Sequence, residues 1–404
     1  MNKKITLKYI FIQALYWGVV CAALGYTVTY MKDLGYSNSY IGVTMAVANL
    51  GSVIAQPIIA NIADRNPKWT ITRVNIVLAV AMLVISAFMI VYKSATLLLA
   101  LTVCLLTVVN GLMQPFLNSL AIRYQEAGVK LNYGVCRAAG SLFYAIVSAI
   151  LGELVVFFTS SIIPIASTIL CAILLVAAVI NKVDNLYNQK GTSSEAMDSA
   201  ENEAMPLLEF IRTNKRFSIY IIGVSLVFYM HMVLTTYLIQ IVENVGGDAS
   251  NMGFTLALSA ALELPAMIGS NYLLKKFKVQ TLIKISAISF SVKALAMTLA
   301  TSSTMVYIAQ LFQISAFALY IPCSVYYVGK LFDKSDMNKG QSLTTMATAV
   351  GPVFGNLLTG YLIDRFSVNT MLWISFAVSV VGTIIMITAV EEFRDEPMVA
   401  TAAP

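Results

Sequence analysis

Apolar runs of about 20 residues, each long enough to cross a lipid bilayer, recur along this chain from end to end. Twelve are read from the sequence: 7–31, 41–62, 71–92, 95–120, 133–157, 160–181, 217–242, 251–274, 280–301, 303–328, 341–362 and 370–391. Lipid offers the backbone no hydrogen bonds, so runs of this length must satisfy their amides and carbonyls internally, as helices. The expected class is an all-α membrane protein with twelve transmembrane helices, and the bilayer is its first partner. Composition agrees: 58% of the 404 residues are hydrophobic and 11% are charged, against roughly a quarter charged in soluble domains. The first run follows Lys3 and Lys4 directly and lacks a small-residue cleavage site. It reads as a retained helix rather than a signal peptide.

The net charge of +6 is a matter of topology, not of nucleic-acid binding. With the N-terminus placed in the cytoplasm, twenty-one of the 26 basic residues fall on the inner side and three (Lys32, Lys93 and Arg365) on the outer; Arg137 and Lys293 lie within spans. Such a bias follows the positive-inside rule. It predicts a multi-pass protein of the cell (inner) membrane with both termini cytoplasmic. The five cysteines, Cys21, Cys104, Cys136, Cys171 and Cys323, all fall inside apolar runs and read as small apolar fillers.

The runs stop once, between the sixth and the seventh. The segment NKVDNLYNQKGTSSEAMDSAENEA is polar and rich in Ser, Asn and Glu, the composition of a flexible linker. PLLEFIRTNKRF then reads as a short amphipathic helix at the membrane surface. The expected organisation is an N-terminal six-helix bundle over 1–181, a cytoplasmic linker over 182–216 and a C-terminal six-helix bundle with a short tail over 217–404. The halves echo each other. Pro115 precedes Arg123 by eight residues in the fourth span, as Pro322 precedes Lys330 in the tenth. GSLFYAIVSAILGEL of the fifth span aligns with GPVFGNLLTGYLIDR of the eleventh, setting Gly140 on Gly351, Phe143 on Phe354 and Glu153 on Asp364. Internal duplication of this kind marks transporters that rock two halves about a central site.

Polar residues recur inside the spans at helical spacing. The stripes are Asn110, Gln114 and Asn118; Arg137, Ser141, Tyr144 and Ser148; Ser225, Tyr229, Met232, Thr236 and Gln240; Gln310, Gln313, Phe317, Tyr320 and Ser324; and, in the first span, Gln13 and Trp17. One reading is helix–helix hydrogen bonding. The other is a shared cavity lined by amides, hydroxyls and rings, suited to a neutral, hydroxyl-rich solute whose apolar faces stack on Trp17.

Isolated charges at membrane depth need a partner or a wet cavity, at a cost of about 2.5–3.5 kcal/mol on insertion scales. Glu263, in ALELP, and Lys293, in SVKAL, lie at similar depth on consecutive spans. They read as a natural pair, either a static staple or a substrate- and proton-binding carboxylate tuned by an amine. Arg137 either snorkels to the interface or donates its fork to solute. His231, the single histidine, is a candidate proton relay or a packing residue. Glu153 and Asp364 are expected at helix ends, solvated. Asp64, Arg65 and Lys68, between the second and third spans, form a loop able to lock one conformation.

Twelve spans in two sixes, a central linker and an Asp-Arg pair with a basic cluster after the second span resemble the major facilitator superfamily. Within it, Tyr133-Gly134-Val135-Cys136-Arg137 with Gly140 and Tyr144 is similar to the F-G-x-x-R-x-x-G segment of the oligosaccharide:proton symporters. That resemblance implies sugar contacts for Arg137 and Tyr144, a sugar-binding role for Glu263, and a proton-coupling position for Lys293. The chain departs from the group where Asn118 or Ser119 replaces a carboxylate on the fourth span. It departs again where Gln313 and Ala316 stand on the tenth, in place of a histidine and a glutamate.

Together these observations predict a monomeric secondary transporter of a small neutral polar solute, a sugar or oligosaccharide, coupled to a proton. Its predicted substrate-binding residues are Trp17, Asn118, Arg137, Tyr144, Glu263 and Gln313; those for ion coupling are Glu263, Lys293 and His231. A nucleoside symporter is the alternative, with drug efflux and a transport-dead sensor behind it. No HExxH, paired-Asp or Ser/His/Asp arrangement occurs in the chain, so neither an enzyme nor any metal or cofactor is expected.

Overall fold

The computed structural model describes residues 2–66, 69–126, 128, 129, 131, 133–180 and 207–392. The first span runs over Asn2–Val20, passes through a π turn at Cys21–Gly25 and resumes as Thr27–Asp33. Spans two to six are Asn38–Arg65, Ile71–Val91, Leu97–Glu126, Tyr133–Phe158 and Ile162–Ile180. A short helix, Leu207–Thr213, precedes the seventh span, which is Lys215–Thr236 and Leu238–Asn244, bent at Tyr237. The eighth and ninth are Ala249–Lys276 and Val279–Thr298. The tenth is broken into Ser303–Gln310, a 3-10 turn Leu311–Gln313 and Phe317–Leu331, and the last two are Lys334–Arg365 and Val368–Ala389.

Eleven of these passages are apolar and long enough to cross a membrane. The eighth is a helix of 28 residues that carries Asn251 and Glu263. Several helices overrun their apolar runs at both ends, most of all the eleventh span, whose polar KSDMNKGQ start is helical. Backbone bonding is local, so a helix continues past the lipid boundary until a cap stops it. Ser37, Thr70, Ser302 and Ser367 each accept a backbone N–H of the following turn. Asp248 and Asn251 form a reciprocal capping box, each such cap contributing about 1 kcal/mol.

The packing repeats between halves. In the first half the first span packs on the fifth, the third on the sixth and the second on the fourth; in the second half the seventh packs on the eleventh, the ninth on the twelfth and the eighth on the tenth. Between halves the fifth span lies along the eighth, and the second along the eleventh. One buried cluster joins the first half to residues such as Tyr229, Ile241, Met252 and Met371 of the second. A separate cluster, built around Phe217, Tyr220, Phe290 and Tyr327, fills the second half toward its linker end. There the short helix docks Phe210, fully buried, against Phe217 and Phe332 at ring centroid distances of 6.3 and 4.9 Å. It is therefore packed on the protein as well as lying at its surface.

Candidate functional site

The spans that face each other across the centre bring four of the predicted charged and amide groups together. Glu263 and Lys293 are not in direct contact; Gln313 bridges them. Lys293 Nζ donates to Gln313 Oε1 at 2.6 Å, and Gln313 Nε2 donates to Glu263 Oε1 at 3.3 Å. The break in the tenth span sets this up, because Gln313 ends the 3-10 turn just ahead of Ala316. Ser286 of the ninth span donates to the Ala316 carbonyl at 2.7 Å, satisfying a backbone group at the break, as lipid-embedded irregular backbone requires. Lys293 is 3% exposed and Gln313 2% exposed, so the amine has exchanged water for a single amide oxygen backed by a carboxylate. Pro265, two residues past Glu263 and inside the same helix, has no N–H to give the Ala261 carbonyl. The helix is loosened beside its carboxylate.

From the other half, Arg137 points into the same region. Its guanidinium carbon lies 3.7 Å from the centroid of the Trp17 ring, and Nη1 donates to Ser141 Oγ at 3.0 Å. Stacking of this kind contributes about 0.5–2 kcal/mol and fixes the planar fork. Arg137 and Glu263 lie near enough to interact electrostatically, although the two belong to different halves. Gly140 makes the stack possible, since a Cβ there would stand 2.4 Å from Trp17 Cδ1. The indole face expected to meet a solute is thus covered by Arg137.

The remaining predicted residues are dispersed in role. Tyr144 is half-buried with its hydroxyl over Gly25, where an added Cβ would approach it to 3.0 Å. Asn118 accepts from Tyr133 at 2.9 Å, a tie between the fourth and fifth spans. His231 stacks on Phe317 at 4.5 Å with 9° between planes and meets Phe228 and Phe290 edge-on; its buried Nδ1 has no partner among the described residues. It joins an aromatic cluster and makes no hydrogen bond to Lys293. Arg65 is exposed at the end of the second span, while Lys68 and the Asp64 side chain lie outside the described residues.

Many stripe residues spend their hydrogen bonds within one half. Gln13 donates to Tyr9 Oη at 2.6 Å, Tyr16 donates to the Asn110 carbonyl at 3.1 Å, and Ser225 donates to the Ala347 carbonyl at 3.2 Å. Bonds within one helix (Gln13) or between helices of one half (Asn110, Ser225) account for these positions, and periodicity alone did not separate them from the central ones.

Glu153 and Asp364 are exposed, as expected, and are also bonded across the halves. They are not merely solvated: Asp364 accepts from Asn38 N at 3.0 Å, Asn38 Nδ2 at 2.8 Å and Ser39 N at 2.6 Å, and Glu153 accepts from Ser250 Oγ at 2.5 Å. Their equivalence in the internal repeat was the available signal.

Residues 5–389 match the MFS_1 like family. The chain belongs to that family. It is a membrane transporter of major facilitator type, and the relatives it matches are transporters rather than enzymes. It is 23% identical over 370 residues to the maltose permease of Geobacillus stearothermophilus, covering 90% of this chain and 89% of that one. Among solved structures, the nucleoside transporter NupG superposes with a TM-score of 0.81 at 14% identity, covering 97% of this chain and 100% of NupG. A POT family transporter in complex with 5-aminolevulinic acid gives a TM-score of 0.72 at 12% identity, with 96% of each chain covered. These structural likenesses establish the transporter's fold.

Proposed function

We propose that this transporter moves a neutral, hydroxyl-rich solute, a sugar or short oligosaccharide, across the cell membrane in symport with a proton. The observation that carries the reading is the central polar group itself. The Lys293–Gln313–Glu263 chain of one half faces the Trp17-stacked Arg137 of the other. Forked donors and a carboxylate acceptor suit vicinal hydroxyls, and the matched permease is named for a disaccharide. Protonation of Glu263 would remove the negative charge that Arg137 of the other half feels, which is how a proton and a solute come to share one cycle.

In this reading both termini are cytoplasmic, by the basic bias of that side. The tight contacts between halves then fall at the outer end, and a cytoplasm-facing state is part of the proposal. One chain contains the whole pathway, so a monomer is sufficient. Nucleoside transport is the second reading, favoured by the close superposition on NupG. Uptake of labelled maltose, other sugars and nucleosides by cells expressing the chain, with and without a protonophore, tests both together. Accumulation of a sugar that collapses with the protonophore supports the proposal. Accumulation of nucleosides alone replaces the substrate, and uptake indifferent to the protonophore removes the proton.

A further inference from the structure

The end of the molecule opposite the termini is closed by the same parts used twice. Tyr26, at the bend of the first span, donates to the Ser148 carbonyl of the fifth at 2.6 Å. Tyr237, at the bend of the seventh, donates to the Asn356 carbonyl of the eleventh at 3.0 Å. Each tyrosine sits where a glycine of the other half comes closest. A Cβ on Gly253 would strike the Ser148 carbonyl at 2.5 Å and the Tyr26 hydroxyl at 2.6 Å; one on Gly42 would strike the Asn356 carbonyl at 2.3 Å and the Tyr237 hydroxyl at 2.7 Å. The pairs Tyr26 and Tyr237, Ser39 and Ser250, Gly42 and Gly253, and Glu153 and Asp364 are each 211 positions apart. So are Lys32 and Glu243, which form an ion pair with one another across the halves.

The two carboxylates differ in what they hold. The eighth span begins with a capping box that serves the amides of Asp248 and Asn251, and Glu153 receives only the Ser250 hydroxyl. The second span has Ser37 as its cap, accepting from Tyr40, which leaves the amides of Asn38 and Ser39 unserved by their own helix. Asp364 takes both from the other half, and Gln240, also from that half, donates to Asn38 Oδ1 at 2.9 Å. Anions are stabilised at helix N-termini by the free amides and the helix dipole. Parting the second and eleventh spans would break both amide bonds to the exposed Asp364 at once and return these groups to water.

We propose that Asp364 and Glu153 are gating residues of the transport cycle: a duplicated latch in which a carboxylate of one half binds the first turn of the facing helix of the other, with Asp364, which alone takes helix amides, the stronger arm. They act by holding this end shut and touch no solute.

Hydrogen–deuterium exchange of the full-length protein in nanodiscs tests the latch independently of any substrate. Charge-assisted bonds of this kind are strong enough that Asp364→Asn should speed exchange over residues 38–45 by roughly tenfold. It should also slow exchange at the opposite end, over residues 265–276, as the population shifts to the alternate state. Glu153→Gln should do the same over residues 249–256 by roughly threefold, and Asp364→Glu should restore most of the protection. Should Asp364→Asn fail to fold, Asn38→Pro removes the amide donor at a helix position that favours proline, after a Ser37 already extended at ψ 154°. It should show the same two-ended change over residues 40–45 and 265–276. Unchanged exchange at both ends, or faster exchange at both, overturns the proposal.

Discussion

Lys293 reaches Glu263 only through Gln313, an amide that accepts from the amine at 2.6 Å and donates to the carboxylate at 3.3 Å. The amide has both a donor and an acceptor, so it carries polarity between two opposite charges that stay apart. A direct buried ion pair would have to recover the full desolvation of both ions by itself. Bridging leaves Glu263 half-buried and free to meet a solute or Arg137, while Lys293 remains sealed.

Gln313→Leu should therefore be costly. It strands the Lys293 amine at 3% exposure, and loss of a buried partner costs about 1–3 kcal/mol. The expected outcome is a clearly lower melting temperature of the purified protein together with reduced solute affinity. An unshifted melting temperature would show that Lys293 finds another partner and that the bridge is dispensable.

Glu263→Gln keeps the shape of the side chain and a hydrogen-bonding group toward Gln313, and it removes the titratable charge. Accumulation against a gradient should be lost while counterflow exchange of preloaded solute survives. Retained protonophore-sensitive accumulation would demote Glu263 to a structural residue.

Arg137 and Trp17 should behave as a unit. Their stack is worth about 0.5–2 kcal/mol, so Arg137→Ala and Trp17→Leu, each weakening solute binding, should weaken it less than additively when combined. A double-mutant cycle on solute affinity reads the coupling directly. Additive losses would mean that each contacts solute separately. Gly140→Ala, which places a methyl 2.4 Å from Trp17 Cδ1, should mimic Trp17→Leu in affinity with little change in expression.

His231→Phe distinguishes a packing ring from a proton relay. The imidazole stacks on Phe317 at 4.5 Å among other aromatics, so a phenyl ring should fill its place and leave transport within roughly twofold, as shape-conserving core swaps do. Loss of proton-driven accumulation with intact exchange would instead assign the histidine a place in coupling.

The order of the spans and their rough limits were legible in the chain before folding. They depend on how many apolar residues stand in a row and on where charges interrupt them. Glu263 and Lys293 stood out for the same reason, as charges where none is cheap. Their relation did not. Sequence placed them on consecutive helices at similar depth, and that suggested contact; the rotation of each helix and the break at Gln313 put an amide between them. The polar stripes show the same limit, because Gln13 and Arg137 look alike in spacing, yet one bonds inside its half and the other faces across it. Asp364 shows it most plainly. A carboxylate at a helix end reads as solvated until the N-terminus of a helix more than 300 residues earlier in the chain is brought against it. Hydrophobicity belongs to each residue and survives being written as a string, whereas a hydrogen bond between halves is a distance that only the packed bundle defines.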